Sequence, residues 1–288
     1  MPEPGGAPLP EHARGALPAI ERGAPPPLIA DLAVERWREG LVSREHDLVA
    51  EELPVGLFYH GVPHGVLLAT PADLEDFGIG FTLSEGLVED AREIHDVQVS
   101  YGAEAADVRI SVAWERFTAL LQRRRRLTGR TSCGLCGVET VEQAIRAVKP
   151  VGPGPVVTAA ELHAAIAELA HRQPINGRTG SVHAAAWVGA DRRIEVVRED
   201  VGRHNALDKL IGARVRTGAG FGGGFLLLTS RVSYEMIQKS AAVGIAFLVG
   251  LSAPTALAVR LAERTGMTLV AFARERQHVV YACPGRLR

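Results

Sequence analysis

Twenty consecutive residues, Ser240 to Val259, carry no charge. A run of that length could cross a bilayer. Gly244, Gly250, Ser252 and Pro254 interrupt it, however, and Lys239 and Arg260 flank it directly. Such punctuation suits a buried strand that passes through a turn into the start of a helix. The expectation is a soluble chain with a deep core and no membrane association. The N-terminus lacks the charged-then-apolar pattern of a secretory leader.

The pattern around this run alternates. Val182–Val188, Ile194–Arg198, Phe225–Thr229, Met267–Phe272 and His278–Ala282 read as strands. Ala159–His171, His204–Ile211, Ser233–Val243 and Thr255–Arg264 read as helices, the last ended by Gly266, while Gly244–Val249 is ambiguous. Strands alternating with helices predict a layered α/β unit. Earlier in the chain, Val55–His60 and Val66–Thr70 flank a Gly61–Gly65 turn, a helix opens at Pro71, and Val97–Tyr101 and Val108–Trp114 form a second strand pair. A basic connector from Gln122 to Cys133 follows, then a helix over Glu139–Val148. Residues 1–30 hold 8 of the 17 prolines and are expected to form a flexible tail. The resulting division is a tail over 1–30, an N-terminal domain over 31–128 and a C-terminal domain over 129–288.

Composition narrows the partners. The 288 residues include 32 Lys and Arg against 33 Asp and Glu, a net charge of −1. A chain so balanced is not a general nucleic-acid magnet, and none is expected as a partner. Three cysteines cannot build a disulfide scaffold. A reducing, cytoplasmic setting follows from that.

Two of the three cysteines stand in Cys133-Gly-Leu-Cys136-Gly, preceded by Arg123–Arg126 and Arg130. Neighbouring positive charge favours the thiolate, which is the nucleophilic and metal-binding form. Dithiol redox chemistry, zinc binding and carriage of sulfur as a persulfide all use such a pair, as does an inert buried turn. Zinc needs three or four ligands, and no second Cys-x-x-Cys stands in the sequence to complete the set, so no permanent metal is expected. Spacing alone leaves the remaining choices open.

Three polar segments follow strands of the second half: Glu199–Lys209, Thr229–Met236 and Phe272–Gln277. In the first, Asp200 is placed to cap a helix, and His204 and Asp208 share a face at i,i+4. In the second, Ser230 and Arg231 precede a helix N-terminus, with Ser233 as a cap and Glu235–Lys239 as an ordinary helical pair. The third is Phe272-Ala273-Arg274-Glu275-Arg276-Gln277. If the strands run parallel, all three loops meet at one sheet edge, where ligands of open α/β folds bind. Arg203, Arg231, Arg274 and Arg276 would then suit an anionic, phosphate-bearing ligand. His183 opens another strand there, a place where a structural histidine is more ordinary than a ligand.

Four longer motifs carry a resemblance. Thr131-Ser-Cys-Gly-Leu-Cys-Gly-Val-Glu139, Thr179-Gly-Ser-Val-His-Ala-Ala-Ala-Trp187, Glu199–Leu210 and Ser230–Ser240, joined by Gly80-Phe-Thr-Leu-Ser-Glu-Gly86, are similar to the FdhD family over about residues 45–285. The resemblance implies a sulfurtransferase. It would take sulfur from a cysteine desulfurase as a persulfide on Cys133, with Cys136 as its partner. It would pass that sulfur to the molybdenum bis(molybdopterin guanine dinucleotide) cofactor before insertion into the formate dehydrogenase catalytic subunit. Phe272–Gln277 matches the segment that contacts the cofactor, although Arg-Glu-Arg stands where the family carries Pro-Gly. The implied fold is cytidine-deaminase-like, a layered α/β domain with a smaller β-containing N-terminal domain, and a homodimer fits. One alternative is a cofactor-binding maturation chaperone that moves no sulfur. Another is a zinc deaminase, for which His183 is followed by Ala184 and Ala185 rather than by the x-Glu of a proton shuttle.

Overall fold

Residues 23–125 and 148–288 are described by the computed structural model. Two antiparallel strands come first, β1 (Ile29–Arg38) and β2 (Leu41–Ala50), paired only with each other. Their turn is Glu39-Gly40, both at positive φ (51° and 82°). The next hairpin, β3 (Leu53–Tyr59) and β4 (Val62–Ala69), turns on His60-Gly61 in the same way (49° and 79°). Two-residue loops of this hand match the twist of the flanking strands. A four-stranded sheet in the order β4-β3-β6-β5 is completed by β5 (Ile94–Tyr101) and β6 (Ala106–Val112). Between the hairpins of that sheet runs α1 (Leu74–Ser84). The strand expected to reach Trp114 stops at Val112, and Trp114–Arg125 is a helix, α2, rather than the end of a strand leading into a connector.

The second half contains α3 (Ala159–Ala170), the single turn α4 (Asn176–Thr179), β7 (His183–Val188), β8 (Ile194–Asp200), α5 (Arg203–Arg216), β9 (Phe225–Leu228), α6 (Tyr234–Ala242), β10 (Phe247–Gly250), α7 (Ala256–Thr265), β11 (Thr268–Arg274) and β12 (Gln277–Ala282). Its six strands run in the order β12-β11-β10-β9-β7-β8. The charge-free run resolves as the sequence suggested: Phe247–Gly250 is a fully buried strand, and Ala256 opens a helix capped by the Thr255 hydroxyl, which accepts from the Ala258 N–H at 3.2 Å. With both faces covered, β9 and β10 read as unbroken apolar runs without alternation. That is why Gly244–Val249 was ambiguous. No helix among the described residues is long and apolar enough to cross a membrane.

The pleat divides the core. Phe225 and Leu227 of β9 face α3, together with Leu162, Ile166 and Val249. Leu226 and Leu228 face the other way, into a larger cluster with Leu207 and Leu210 of α5 and Met236 of α6. That cluster continues through Phe77 of α1 to Val55, Leu57, Val108 and Ile110 of the four-stranded sheet. The two halves thus share one apolar interior.

α1 and α5 cross almost backbone to backbone. A Cβ on Gly80 would lie 1.7 Å from the Asp208 carbonyl oxygen, and one on Gly212 would lie 1.9 Å from that of Asp76. Only glycine permits that approach. The Gly80–Gly86 motif therefore seats the first half against the second.

Candidate functional site

The edge at which the polar loops meet is fixed by strand direction. β9, β10 and β11 are mutually parallel, β7 runs against β9, and β8 runs against β7. The sheet is mixed. Even so, the carboxyl ends of β8, β9, β10 and β11 and the start of β7 share one edge. His183 pairs in register with Asp200 there, and Arg203 and His204 follow at the start of α5. Ser230 and Arg231 lead into α6, and the β11–β12 turn closes the row.

Helix α5 is not capped by Asp200. Its N-cap position is Gly202, and Asp200 is fully buried as the centre of a network. Its carboxylate accepts from the Gly202 N–H (2.7 Å), Asn205 Nδ2 (3.0 Å) and the Thr70 N–H (3.1 Å), and pairs with Lys209 Nζ at 2.6 Å. Lys209 also donates to the Thr70 carbonyl at 2.9 Å. Burial pulls the Lys209 pKa down against the pull of Asp200. Four hydrogen-bond partners keep the buried Asp200 carboxylate solvated by protein groups, and they lock the loop that presents Arg203 and His204 to the end of β4.

His204 and Asp208 do not form a surface pair, nor do Glu235 and Lys239 pair along their helix. The bonds run between helices. His204 Nε2 lies 2.7 Å from Glu235 Oε2, and one turn deeper Lys239 Nζ lies 2.8 Å from Asp208 Oδ2. Spacing of i,i+4 on both α5 and α6 thus builds a two-rung ladder between the helices. The outer rung is half-buried at the edge. Beneath it, the inner rung is buried and extended by α1, with Ser84 Oγ donating to Asp208 at 2.6 Å and Glu85 pairing with Lys239 at 2.9 Å. Burial opposes the Lys239 charge, but Asp208 and Glu85 outweigh it and raise its pKa. The His204 hydrogen bond holds the Glu235 carboxyl below its ordinary range.

His183 is half-buried. Burial, then Arg203, then His204 lower its pKa, against an opposing pull from Asp200. A neutral imidazole beside an arginine results. Arg203 Nε and Ser233 Oγ are shielded from solvent and have no hydrogen-bond partner among the described residues. Ser233 occupies the N-cap position of α6, but its side chain makes no capping bond.

Across the edge, Phe272 stands in a bulge at φ 49°, with its ring 45% exposed and 6.5 Å from that of Tyr281. The side chain of Ala273 is buried in the core. Arg274 turns its guanidinium onto the carbonyls of Leu251 and Ala273, so it ties the hairpin to the β10–α7 loop. Glu275, Arg276 and Gln277 are exposed, as is Arg231. Ser230 is buried, its hydroxyl donating to the Arg231 carbonyl at 3.1 Å. The edge therefore assembles His183, Arg203, His204, Ser230, Arg231 and Phe272–Gln277. Cys133, Cys136 and the arginines Arg126 and Arg130 lie outside the described residues, as does 139–147 of the expected helix. Among the described residues no three His, Cys, Asp or Glu side chains are grouped to hold a metal ion.

Sequence reasoning missed Ser84, Glu85 and Thr70 as members of these networks. Ser84 and Glu85 stand in the Gly80–Gly86 motif, but no local spacing pairs any of the three, because their partners lie 124 to 155 positions away. For Glu235 and Lys239 a signal existed: the charge signs on α6 are the reverse of those on α5 at the same spacing.

Known proteins resemble this chain over most of its length. The FdhD/NarQ family model matches residues 50–288. The sulfur carrier protein FdhD of Cupriavidus necator is 49% identical over 271 residues, which is 94% of each chain. Its counterpart in Xanthomonas euvesicatoria is 48% identical over 254 residues, 88% of this chain and 90% of that one. Among solved structures, a formate dehydrogenase accessory protein from Desulfotalea psychrophila superposes with a TM-score of 0.74 at 26% identity, covering 91% of this chain and all of that one. A likeness of this extent, running through both halves and every described element of the sheet edge, settles the kinship: the chain belongs to the FdhD/NarQ family.

Proposed function

We propose that this protein is a sulfur carrier for formate dehydrogenase maturation. It accepts sulfur from a cysteine desulfurase on Cys133 and delivers it to the molybdenum bis(molybdopterin guanine dinucleotide) cofactor, its substrate, ahead of insertion into the catalytic subunit. Loading is a thiol exchange. The Cys133 thiolate attacks the terminal sulfur of the donor's persulfide, the donor S–S bond breaks, and the donor departs as a thiolate while Cys133 keeps the sulfur. Arginines 123–126 and 130 favour the thiolate form.

The observation that carries this reading is the sheet edge. Among the described residues, Arg203 Nε and Ser233 Oγ are shielded without partners, and such groups are costly to leave empty-handed. Arg231, two residues before Ser233, is exposed, as is Arg276 in the β11–β12 turn of the same edge. A dinucleotide brings phosphates for these donors and a flat purine for the exposed ring of Phe272. His183, neutral and half-buried, offers a hydrogen bond without adding charge. A cytidine-deaminase-like fold, a homodimeric assembly and a cytoplasmic setting complete the proposal.

The test is mass analysis of the protein after incubation with a cysteine desulfurase and cysteine. A gain of sulfur on Cys133, reversed by reductant, is expected; no gain on that residue rejects the reading. Guanosine diphosphate probes the edge separately. Arg203→Ala is expected to weaken its binding by about tenfold to a hundredfold, the worth of a charge-assisted hydrogen bond. Calorimetric titration reads this, and unchanged affinity removes Arg203 from the site.

A further inference from the structure

On the face of the six-stranded sheet away from α5, His163 of α3 and His278 of β12 meet. Their rings are tilted with centroids 5.1 Å apart, and His163 Nε2 lies 3.0 Å from His278 Nδ1. We propose that this pair is a proton-sensitive latch that sets the shape of the β11–β12 hairpin. His278 stands where the register breaks: Ala271 pairs with Val279 and Arg274 with Gln277, so Phe272 and Ala273 both face His278 alone. The latch therefore braces the bulge from behind. In front of it, Phe272 is held at positive φ with its ring outward.

A nitrogen–nitrogen hydrogen bond needs one N–H and one lone pair. Two neutral rings, or one neutral and one charged, satisfy that. Two charged rings set N–H against N–H and positive charge against positive charge, so the second proton breaks the bond. Burial, and then His163, already hold the His278 pKa below the ordinary imidazole value.

The charged groups on the packed elements are engaged elsewhere. Glu161 of α3 is bound by Thr158 and Arg192, and Glu168 by Arg172 and the Ile194 N–H. Arg274 holds the carbonyls of Leu251 and Ala273, while Glu275 and Arg276 sit at the exposed turn. Among the described residues, His163 is the titratable side chain that bonds to His278. A group with a lowered folded-state pKa favours its neutral form in the fold. Its contribution is present above the unfolded value and is lost as pH falls. The hairpin should loosen on acidification.

Hydrogen–deuterium exchange of the full chain reads this without any ligand. Between about pH 7.5 and about pH 5.5, protection of the Gln277–Ala282 amides, corrected for intrinsic exchange, is expected to fall severalfold, with about tenfold as the ceiling for one imidazole over that range. In His278→Asn, a side-chain amide replaces Nδ1 and does not titrate, so protection should stay level across that range. Should that variant not fold, His163→Gln, with its amide near Nε2, is read in the same way. A wild-type protection that does not change with pH, or an equal fall in the folded variant, overturns the latch. Any effect of the latch on guanosine diphosphate affinity rests on the proposed function. Exchange in the free protein does not, so the two can fail separately.

Discussion

Replacing Cys133 with alanine is expected to abolish formate dehydrogenase maturation while leaving secondary structure and unfolding temperature as they are. A persulfide needs a sulfur atom to be built on, and no oxygen or carbon side chain can substitute in the exchange. Loss should be complete, since even a conservative Cys133→Ser lacks an acceptor for sulfane sulfur. The measurement is formate-dependent dye reduction in cells that depend on this protein for maturation, with expression checked alongside. Full activity in Cys133→Ala would leave only a chaperone reading, because a protein that merely holds the cofactor has no need of the thiol. Cys136→Ala separates the two thiols: retained loading with impaired delivery would assign it to release of the sulfur.

The second large effect concerns the inner rung of the ladder. Lys239→Met should cost about 3–5 kcal/mol of stability, because Asp208 and Glu85 are left as carboxylates without their buried cation. Against a typical total of about 5–15 kcal/mol, that is a large share. Urea unfolding followed by circular dichroism measures it as a shift in midpoint at constant slope. A loss below about 1 kcal/mol would mean that the pair is solvated rather than buried. The pH dependence has a definite sign. The Lys239 pKa is raised above its ordinary 10.5, so its stabilisation is intact below that value and fades as pH climbs beyond it. Since His204 and Glu235 are one turn above on the same two helices, the variant should also disturb the outer rung at the edge.

Much of the α/β pattern was legible in the residues. Gly266 ended α7 where expected, at φ 71°, and the alternating burial over Leu53–Leu57 of β3 followed from its apolar spacing. The β1–β2 hairpin was not legible. Its strands mix charge with apolar residues on both faces, and Leu32, Trp37, Leu41 and Val42 remain exposed, so no two-residue period marks an inside. Helix α2 was obscured by its arginines, which read as a connector. The polar loops do meet at one sheet edge, as the sequence expected for parallel strands, but the pairing of their charges was misread. Local spacing suggested bonds along α5 and along α6, whereas the structure makes them between the helices.

The sequence by itself determined which residues could do chemistry: a glycine-flanked dithiol after five arginines, and polar loops following apolar strands. Those properties are local, set by side-chain type and spacing of a few residues. Only the tertiary structure decided that β8 runs with β9 although two antiparallel pairings separate them, which brings the loops to one edge. It alone joined Asp208 and Lys239 to Ser84 and Glu85. Such partners are chosen by which backbones can approach, and here that choice rests on Gly80 and Gly212, where the absence of a side chain lets two helices touch.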